Sequence, residues 1–314
     1  MCGRLSRMTQ RLMLLDSASL YYRAYHGVPE STVAPDGTPV NAVRGFLDFI
    51  RRLVTDHSPT HLVACWDDDW RPSFRVEAIP SYKAHRVAVD DPDAEEVPDT
   101  LKPQVPVIMQ VLSALGVPRI GVAGFEADDV IATLASRATM PVRIVTGDRD
   151  LFQLIDDVAD VKVVYTARSV SAPDIYDEAA IAAKYAIPGR AYADFSILRG
   201  DPSDGLPGVK GVGEKTAAAL IAEHGTLLAV RAAARDESVP MGSAVRRRIN
   251  ESADYLDLAP QVVSVVRDVP VPAHDARIVP APADPAAFEA LVTRWGLGSS
   301  AVRVVEALSA AARG

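Results

Sequence analysis

The residues best suited to chemistry in this 314-residue chain are carboxylates that follow apolar segments. Three apolar runs, at 12–16, 61–67 and 142–148, are typical of buried parallel strands. Each ends in an aspartate: Asp16, Asp67 and Asp148. Because the carboxyl ends of parallel strands share the edge of a sheet where ligands bind, we expect these three side chains to lie together.

Further carboxylates extend this set. Asp148 and Asp150 are two residues apart, so in extended backbone their side chains project to the same side. The segment GFEADD at 124–129 opens a helical pattern and sets Glu126, Asp128 and Asp129 in its first turn. Acidic residues also favour that position as caps and dipole partners, so this helix alone is explained equally well without a function. Strand-end aspartates are also common in turns, but neither explanation accounts for the convergence of both groups.

So many carboxylates on one edge would repel each other unless cations neutralise them or some remain protonated. An oxygen-only set without paired histidines or cysteines favours Mg²⁺ or Mn²⁺ over zinc. Two such ions roughly 3.5–4 Å apart can activate a water and stabilise the leaving oxygen of a phosphodiester. The acidic set therefore predicts hydrolytic phosphoryl cleavage.

The elements needed to position these residues indicate an α/β fold. Helical patterns alternate with the strands, as in a doubly wound sheet; they cover 40–55, 101–115, 129–138 and 176–185. Residues 75–100 interrupt this alternation with prolines, basic residues and an acidic patch, which is typical of a mobile insertion over a site. From about 190 the chain turns helical and Gly/Pro-punctuated, which predicts a second, smaller module. Residues 268–287 predict an extended connection before a last helix near 287–294, and residues 1–10 a tail.

Composition narrows the setting. The formal net charge of -8 argues mildly against nucleic acid, because phosphate-binding domains are usually basic. Cys2 and Cys65 form no C-x-x-C pattern, so neither a disulfide framework nor a zinc site is indicated, and a reducing cytoplasmic setting fits best. No apolar run approaches the roughly 18 residues of a membrane span, and Asp16 interrupts the N-terminal stretch too early for a signal peptide.

The most specific string in the chain is GDPSDGLPGVKGVGEKTA at 200–217. Its Gly-Val-Gly hairpin runs into a helix, where backbone N–H groups, Lys210 and Lys215 could approach a phosphate. Gly208 and Gly213 have Walker A spacing, but Glu214 stands where that loop needs lysine, so a nucleoside triphosphate site is not indicated. A plain helix–helix connection is the alternative, and the paired glycines and lysines favour phosphate contact.

A second basic string, IPSYKAHR at 79–86, lies in the insertion. It places Tyr82 beside Lys83 and Arg86, downstream of Arg71 and Arg75. A solvated basic face is the usual explanation of such a run, although an aromatic ring beside cations also suits single-strand binding. Arg246, Arg247 and Arg248 form another basic cluster. Such local patches answer the objection from net charge.

These strings, in this order, resemble the bacterial 5′-nuclease family of flap endonucleases and 5′→3′ exonucleases, which includes the N-terminal nuclease domain of DNA polymerase I. The similarity runs from about residue 11 to beyond 260 and is carried by YYRAYHG, SFR with SYKAHR, GFEADD, TGDRDLFQL and the 200–217 string. It implies a PIN-like, doubly wound, mostly parallel sheet over 11–190. A helical arch inserted at about 75–100 and a helix-three-turn-helix module with a C-terminal helical region over 191–314 complete the implied fold.

The resemblance also assigns roles. It implies a first metal held by Asp16, Asp67, Glu126 and Asp128, and a second approached by Asp148, Asp150, Asp201 and Asp204, with Asp129 beside them. Lys83 and Arg86 match arch cations that draw the scissile phosphate to the ions. Contacts to nucleic acid are implied for Arg75, for Tyr82 as a stacking ring, and for Gly208, Lys210, Gly211, Gly213, Lys215 and Thr216 of the hairpin, where relatives often hold a K⁺ ion through backbone carbonyls.

Two departures from the family pattern stand out. Asp67, Asp68 and Asp69 are consecutive where relatives tend to have one acid, and Asp67 is chosen because it ends the strand. Gly205 replaces the asparagine common after the last motif aspartate.

The predicted function is thus a structure-specific DNA nuclease that acts on 5′ flaps, gaps or 5′ single-stranded ends with two divalent ions. It is expected to work in the cytoplasm as a monomer, beside a DNA polymerase and a ligase in replication and repair. A PIN-type ribonuclease and a non-catalytic DNA-binding protein are the alternatives. A haloacid-type phosphatase fits less well, since Asp16 lacks a second aspartate two residues on.

Overall fold

A computed structural model describes residues 10–92 and 94–313 of the chain. Residues 1–9 of the predicted tail, with Cys2, lie outside the described residues.

One six-stranded sheet organises the fold, in the order β3-β2-β1-β4-β5-β6. All neighbours pair in parallel except β5 and β6, which are antiparallel. The strands are β1 (Leu12–Asp16), β2 (His61–Cys65), β3 (Arg119–Ile120), β4 (Val142–Thr146), β5 (Val161–Tyr165) and β6 (Asp174–Tyr176). The predicted doubly wound, mostly parallel sheet is confirmed.

The helices cover both faces of the sheet. They are α1 (Ser17–Gly27), α2 (Asn41–His57), α3 (Ser73–Ala78), α4 (Gln104–Leu115), α5 (Ala127–Arg137), α6 (Glu178–Tyr185), α7 (Tyr192–Arg199), α8 (Glu214–His224), α9 (Leu227–Arg235), α10 (Ser243–Glu251), α11 (Ala253–Val263), α12 (Pro285–Trp295) and α13 (Gly298–Arg313). Each helix turns towards the core the face on which apolar residues recur every three to four positions. In α2, for example, the buried residues include Phe46, Leu47, Ile50, Leu53 and Val54.

Two hydrophobic clusters divide these helices. One lies beneath α5 and the helices from α6 to α11, and the other beneath α1, α2, α4, α12 and α13. The helices from α7 to α11 therefore lie on the face of the sheet opposite to α1 and α2.

The sequence-based bounds need three adjustments. β2 and β4 stop at Cys65 and Thr146, two residues before the aspartates expected to end them. β3, β5, β6 and the final helix α13 had no clear signal. The last two helices pack on α4 and α2 rather than on the helical module, because Leu297, Ala301, Val304 and Leu308 are buried in the second cluster.

The insertion at 75–100 has little regular structure. A helix covers Ser73–Ala78 and a single 3-10 turn covers Ala84–Arg86, while Val87 and Glu95 form an isolated bridge. The segment nevertheless lies beside the acidic sheet edge, where Lys83, Arg86 and Glu95 line the same cavity as Asp16 and Asp148.

Over the described residues, no single helix is both long and apolar enough to cross a membrane; the bent pair Glu214–His224 and Leu227–Arg235 meets that test only by length and composition.

Candidate metal centre and nucleic-acid interface

A cavity of about 680 Å³ lies at the carboxyl ends of β1, β2, β4 and β5. Eight carboxylates line it: Asp16, Asp67, Glu95, Glu96, Glu126, Asp128, Asp148 and Asp201. The structure thus brings together six of the predicted ligands, and we call this cavity the catalytic pocket.

The ends of β1 and β4 are held in register by a chain of hydrogen bonds. The Thr146 hydroxyl donates to Asp16 Oδ2 at 2.6 Å and accepts from the backbone N–H of Asp148 at 2.8 Å. Asp16 also caps α1 by accepting from Ser19 N at 3.2 Å. Asp148 Oδ1 accepts from Asp150 N at 2.9 Å, so the loop after β4 is set by its own carboxylate.

The structure separates the three consecutive aspartates after β2. Asp67 lines the catalytic pocket, and its Oδ1 accepts from Ala127 N at 2.8 Å at the start of α5. Asp68 forms an ion pair with Arg119 at 2.7 Å, and Asp69 accepts from Arg71 N at 3.1 Å. Asp67 alone of the three reaches the pocket.

Asp129 does not reach the pocket, in contrast to its prediction as a metal-site residue. It is fully buried, and its two carboxylate oxygens accept from Arg75 at 2.7 and 2.9 Å and from Val266 N at 2.8 Å. Arg75 is 2 % exposed and also donates to Glu126 and to the Val262 carbonyl. The prediction that Arg75 contacts nucleic acid is therefore wrong for this structure, because its guanidinium is enclosed by internal acceptors.

Tyr82 is also misassigned as a stacking ring. It is 4 % exposed, and its hydroxyl donates to Glu126 Oε1 at 2.7 Å, so its face is not available to a base. The signal that misled was the adjacency of Tyr82 to Lys83 and Arg86, which says nothing about the direction of each side chain.

Lys83 and Arg86 do face the catalytic pocket, but each is paired with a carboxylate. Lys83 Nζ forms an ion pair with Glu126, and Arg86 Nη2 donates to Asp204 at 2.8 Å. Burial alone would raise the pKa of Glu126, but the charges of Lys83 and Arg75 outweigh it and hold that pKa below its usual value. The insertion is thereby fastened across the acidic edge.

The loop after α7 closes the other side. Asp201 accepts from Arg199 at 3.2 Å and from Ser203 N at 2.9 Å. Gly205 has φ +72°, and a Cβ there would lie 2.2 Å from the Ser81 carbonyl oxygen. Glycine in place of the family's asparagine lets the insertion approach this loop closely.

Five of the predicted ligands have no cationic hydrogen-bond partner within the described chain: Asp16, Asp67, Asp128, Asp148 and Asp150. Burial, then repulsion from Asp67, raises the pKa of Asp16 to about 7. Burial and the charge of Asp148 raise the pKa of Asp128 and of Asp150, and Asp150 Oδ1 is buried without a hydrogen bond. Desolvated, mutually repelling oxygens are the donor set that a hard divalent cation would neutralise.

The residues therefore fit metal ions in chemistry, though not as a closed cage. Within residues 10–92 and 94–313, no three acidic, histidine or cysteine side chains converge on one ion-sized position. Binding would thus require small side-chain rotations or bridging waters, as is usual for Mg²⁺.

The hairpin of the helical module has a buried and an exposed side. Val209 and Val212 are buried, whereas Lys210, Gly211, Gly213 and Lys215 are exposed. Gly208 (φ +65°) and Gly211 (φ +75°) adopt left-handed backbone.

The three neighbouring arginines have different roles. Arg246 donates to four backbone carbonyls inside the module, Arg247 pairs with Glu251 on the surface, and Arg248 Nη1 donates to the Gly211 carbonyl at 3.0 Å.

Sequence reasoning missed some pocket residues. Glu95 and Glu96 belong to the acidic patch of the insertion, which was noted only as a composition change, and Tyr22 and Arg149 also line the cavity. Their positions beside predicted ligands or inside the insertion were the available signal.

Fold and site together define a metal-dependent nuclease class: an acidic edge of a doubly wound sheet beside a helical hairpin module. The family model for the 5′-3′ exonuclease N-terminal resolvase-like domain matches residues 11–186, and that for the 5′-3′ exonuclease C-terminal SAM fold matches residues 187–286. The chain belongs to the 5′-3′ exonuclease family.

Curated relatives agree with this assignment. A 5′-3′ exonuclease of Streptomyces coelicolor is 60% identical over 301 residues, covering 95% of this chain and 100% of the relative. A 5′-3′ exonuclease of Mycobacterium tuberculosis is 48% identical over 313 residues, covering 96% and 98%. DNA polymerase I of Mycobacterium bovis is 40% identical over 269 residues, which are 84% of this chain but 28% of the polymerase.

Solved structures share the fold. The T5 protein crystallised with metal ions superposes with a TM-score of 0.63 at 17% identity, covering 96% of this chain and 100% of the other. The T5 flap endonuclease in complex with DNA and metal ions gives a TM-score of 0.60 at 16% identity, covering 97% and 100%.

Proposed function

We propose that this nuclease removes 5′ flaps and 5′-terminal nucleotides from DNA by hydrolysing phosphodiesters with two divalent ions, Mg²⁺ or Mn²⁺. The proposal depends on one observation: five carboxylates without cationic partners lie at one sheet edge, and four of them, Asp16, Asp67, Asp128 and Asp148, line the same pocket as Lys83 and Arg86. The T5 relative bound to DNA and metal ions supports the same substrate class.

The residues divide the work as follows. Asp16, Asp67, Glu126 and Asp128 would hold one ion, and Asp148, Asp150, Asp201 and Asp204 would approach the second, directly or through water. Bound there, such ions supply an activated water and stabilise the leaving oxygen.

Lys83 and Arg86 would exchange their carboxylate partners for the scissile phosphate. When the metal ions neutralise Glu126 and Asp204, the side chains of Lys83 and Arg86 become free to bind the phosphate oxygens. The ion pairs thus keep the cations at the pocket until substrate and metal arrive.

The exposed hairpin would bind duplex backbone through its N–H groups, Lys210, Lys215 and Thr216, with K⁺ at the backbone carbonyls as in relatives. The similarity to a domain of DNA polymerase I supports action beside a polymerase. Our proposal further includes a ligase that acts on the product, a monomeric state and a cytoplasmic location.

In the deciding experiment, the purified protein is incubated with labelled DNA that carries a 5′ flap, with labelled DNA that carries a 3′ flap, or with labelled single-stranded DNA. Each substrate is tested with Mg²⁺, Mn²⁺ or EDTA. We expect release of the 5′ flap with either ion and not in EDTA, and little product from the other two substrates. A flap of RNA on the same duplex tests the ribonuclease alternative. Equal cleavage of all DNA forms, or none with metal bound and the fold intact, would contradict the proposal.

A further inference from the structure

A second cavity, of about 720 Å³, adjoins the catalytic pocket and shares Ser19 and Tyr22 with it. Arg23, His26 and Arg168 line it, and no carboxylate is found among its lining residues in the described chain. The sign of the charge therefore reverses across the shared wall, from eight carboxylates to a set of basic side chains. We call this second cavity the basic groove.

The walls of the basic groove are tied together by arginines. Arg23 Nη1, on α1, donates to the Ala167 carbonyl at 2.9 Å, and Arg52 Nη2, on α2, donates to the Ser171 carbonyl at 2.9 Å. The loop that follows β5 is thus fixed to two helices. These hydrogen bonds hold the walls of the groove in place, so the groove is a defined part of the fold.

Its inner end meets the acidic edge at Gly147. Gly147 N donates to Ser19 Oγ at 2.9 Å, and a Cβ on Gly147 would lie 3.3 Å from Arg23 Nη2. Arg23 Nε is buried and has no hydrogen-bond partner among the described residues. Since Gly147 directly precedes Asp148, positive charge begins one residue from the predicted ligands.

The groove and the hairpin module lie on opposite faces of the sheet. α1 and α2, which form its walls, pack in one hydrophobic cluster, and the helices from α7 to α11 pack in the other. Under the proposed function, a duplex held at the hairpin reaches the catalytic pocket from one side, so DNA that continues past the pocket would meet the groove on the other. Arg168, which is exposed and has no ion pair or hydrogen bond within the described chain, is then placed to meet a phosphate.

We propose that the basic groove binds the sugar-phosphate backbone of the DNA strand beyond the scissile phosphate, on the side away from the hairpin. Arg168 contacts a phosphate, and Arg23 positions the loop that carries it. The inference rests on the proposed function and adds a second backbone contact to it.

The test compares Arg168→Ala with Arg313→Ala, an equal charge change at an exposed arginine on α13, outside the groove. Affinity for 5′-flap DNA is measured in EDTA, where cleavage does not interfere, over a range of salt concentrations. The logarithm of the binding constant falls as the logarithm of the salt concentration rises, and the loss of one phosphate contact makes this negative slope shallower by about 0.7–0.9. We expect that change, with several-fold weaker binding at low salt, for Arg168→Ala only, and recovery of the slope in Arg168→Lys.

A truncated substrate completes the test. DNA that ends just beyond the scissile phosphate should bind wild type and Arg168→Ala equally, because the groove is then empty. An unchanged slope in Arg168→Ala, or an equal defect of this variant on truncated DNA, overturns the groove proposal. The proposed function still stands in that case if the wild-type protein binds duplex DNA. Failure of wild type to bind any flap or duplex DNA overturns both.

Discussion

The cations of the catalytic pocket and those of the hairpin differ in what they bind within the protein. Lys83 and Arg86 are engaged by Glu126 and Asp204, whereas Lys210 and Lys215 are exposed and have no ion pair in the described part of the chain. The cations of the pocket and those of the hairpin carry the same charge, but only the hairpin lysines can bind a phosphate without first leaving a carboxylate. Cations beside buried carboxylates serve the stability of the pocket first, and cations on the hairpin are free for a phosphate at any time.

The largest expected effect concerns the acids that Lys83 and Arg86 leave unpaired. Asp67→Asn should reduce cleavage by roughly 10²–10³-fold, since a lost metal ligand removes several kcal/mol of charge stabilisation while the amide can still accept from Ala127 N. Asp68→Asn is the matched control, because Asp68 pairs with Arg119 outside the pocket. Single-turnover cleavage of 5′-flap DNA measures both; equal loss in the two variants would break the assignment of Asp67.

Lys83→Met tests whether a cation paired with a ligand also acts on the substrate. We expect about a 10²-fold loss in the single-turnover rate, as for removal of one group that stabilises developing charge. Lys102→Met, which removes an exposed lysine paired with Asp99, should leave the rate unchanged. If Lys83→Met slows cleavage no more than Lys102→Met does, Lys83 has a structural role only.

Metal removal should make the pocket's internal repulsion measurable. The folded-state pKa of Asp16, about 7, exceeds its usual value of 3.8, so without metal this group favours folding at low pH and loses that contribution as pH rises through 7. Mn²⁺ binds the charged form, so its stabilisation should grow with pH. The rise in Tm on adding saturating Mn²⁺ should be on the order of 5 °C at pH 8 and smaller at pH 6. An equal rise in Tm at pH 6 and pH 8 would argue against metal ligation by the carboxylates whose pKa is raised.

The smallest effect is expected at the hairpin. Arg248→Gln should weaken duplex binding several-fold, because Arg248 supports the Gly211 carbonyl beside the exposed backbone, whereas Arg247→Gln should change it little. Titration of duplex DNA at two salt concentrations checks the pair. Identical behaviour would mean that the arginines act only through net charge.

The sequence by itself determined the class of fold, the acidic edge and the hairpin. Alternating strand and helix patterns, the aspartates after the apolar runs and the glycines at 208–213 are local signals, and local signals survive without knowledge of packing. Together with the family resemblance, they also placed Asp16, Asp67, Glu126, Asp128 and Asp148 in one pocket before any contact was known.

The tertiary structure alone decided which neighbours in sequence share a role. Asp128 and Asp129 are adjacent on α5, so they point about 100° apart: one faces the catalytic pocket and the other is held by Arg75. The same holds for Tyr82 against Lys83 and for the three arginines of α10. The structure also puts Asp67 rather than Asp68 in the pocket, as the position of Asp67 after the apolar run had predicted. The basic groove likewise depends on the tertiary structure: its cations come from segments more than a hundred residues apart and meet only because α1 packs beside the loop after β5.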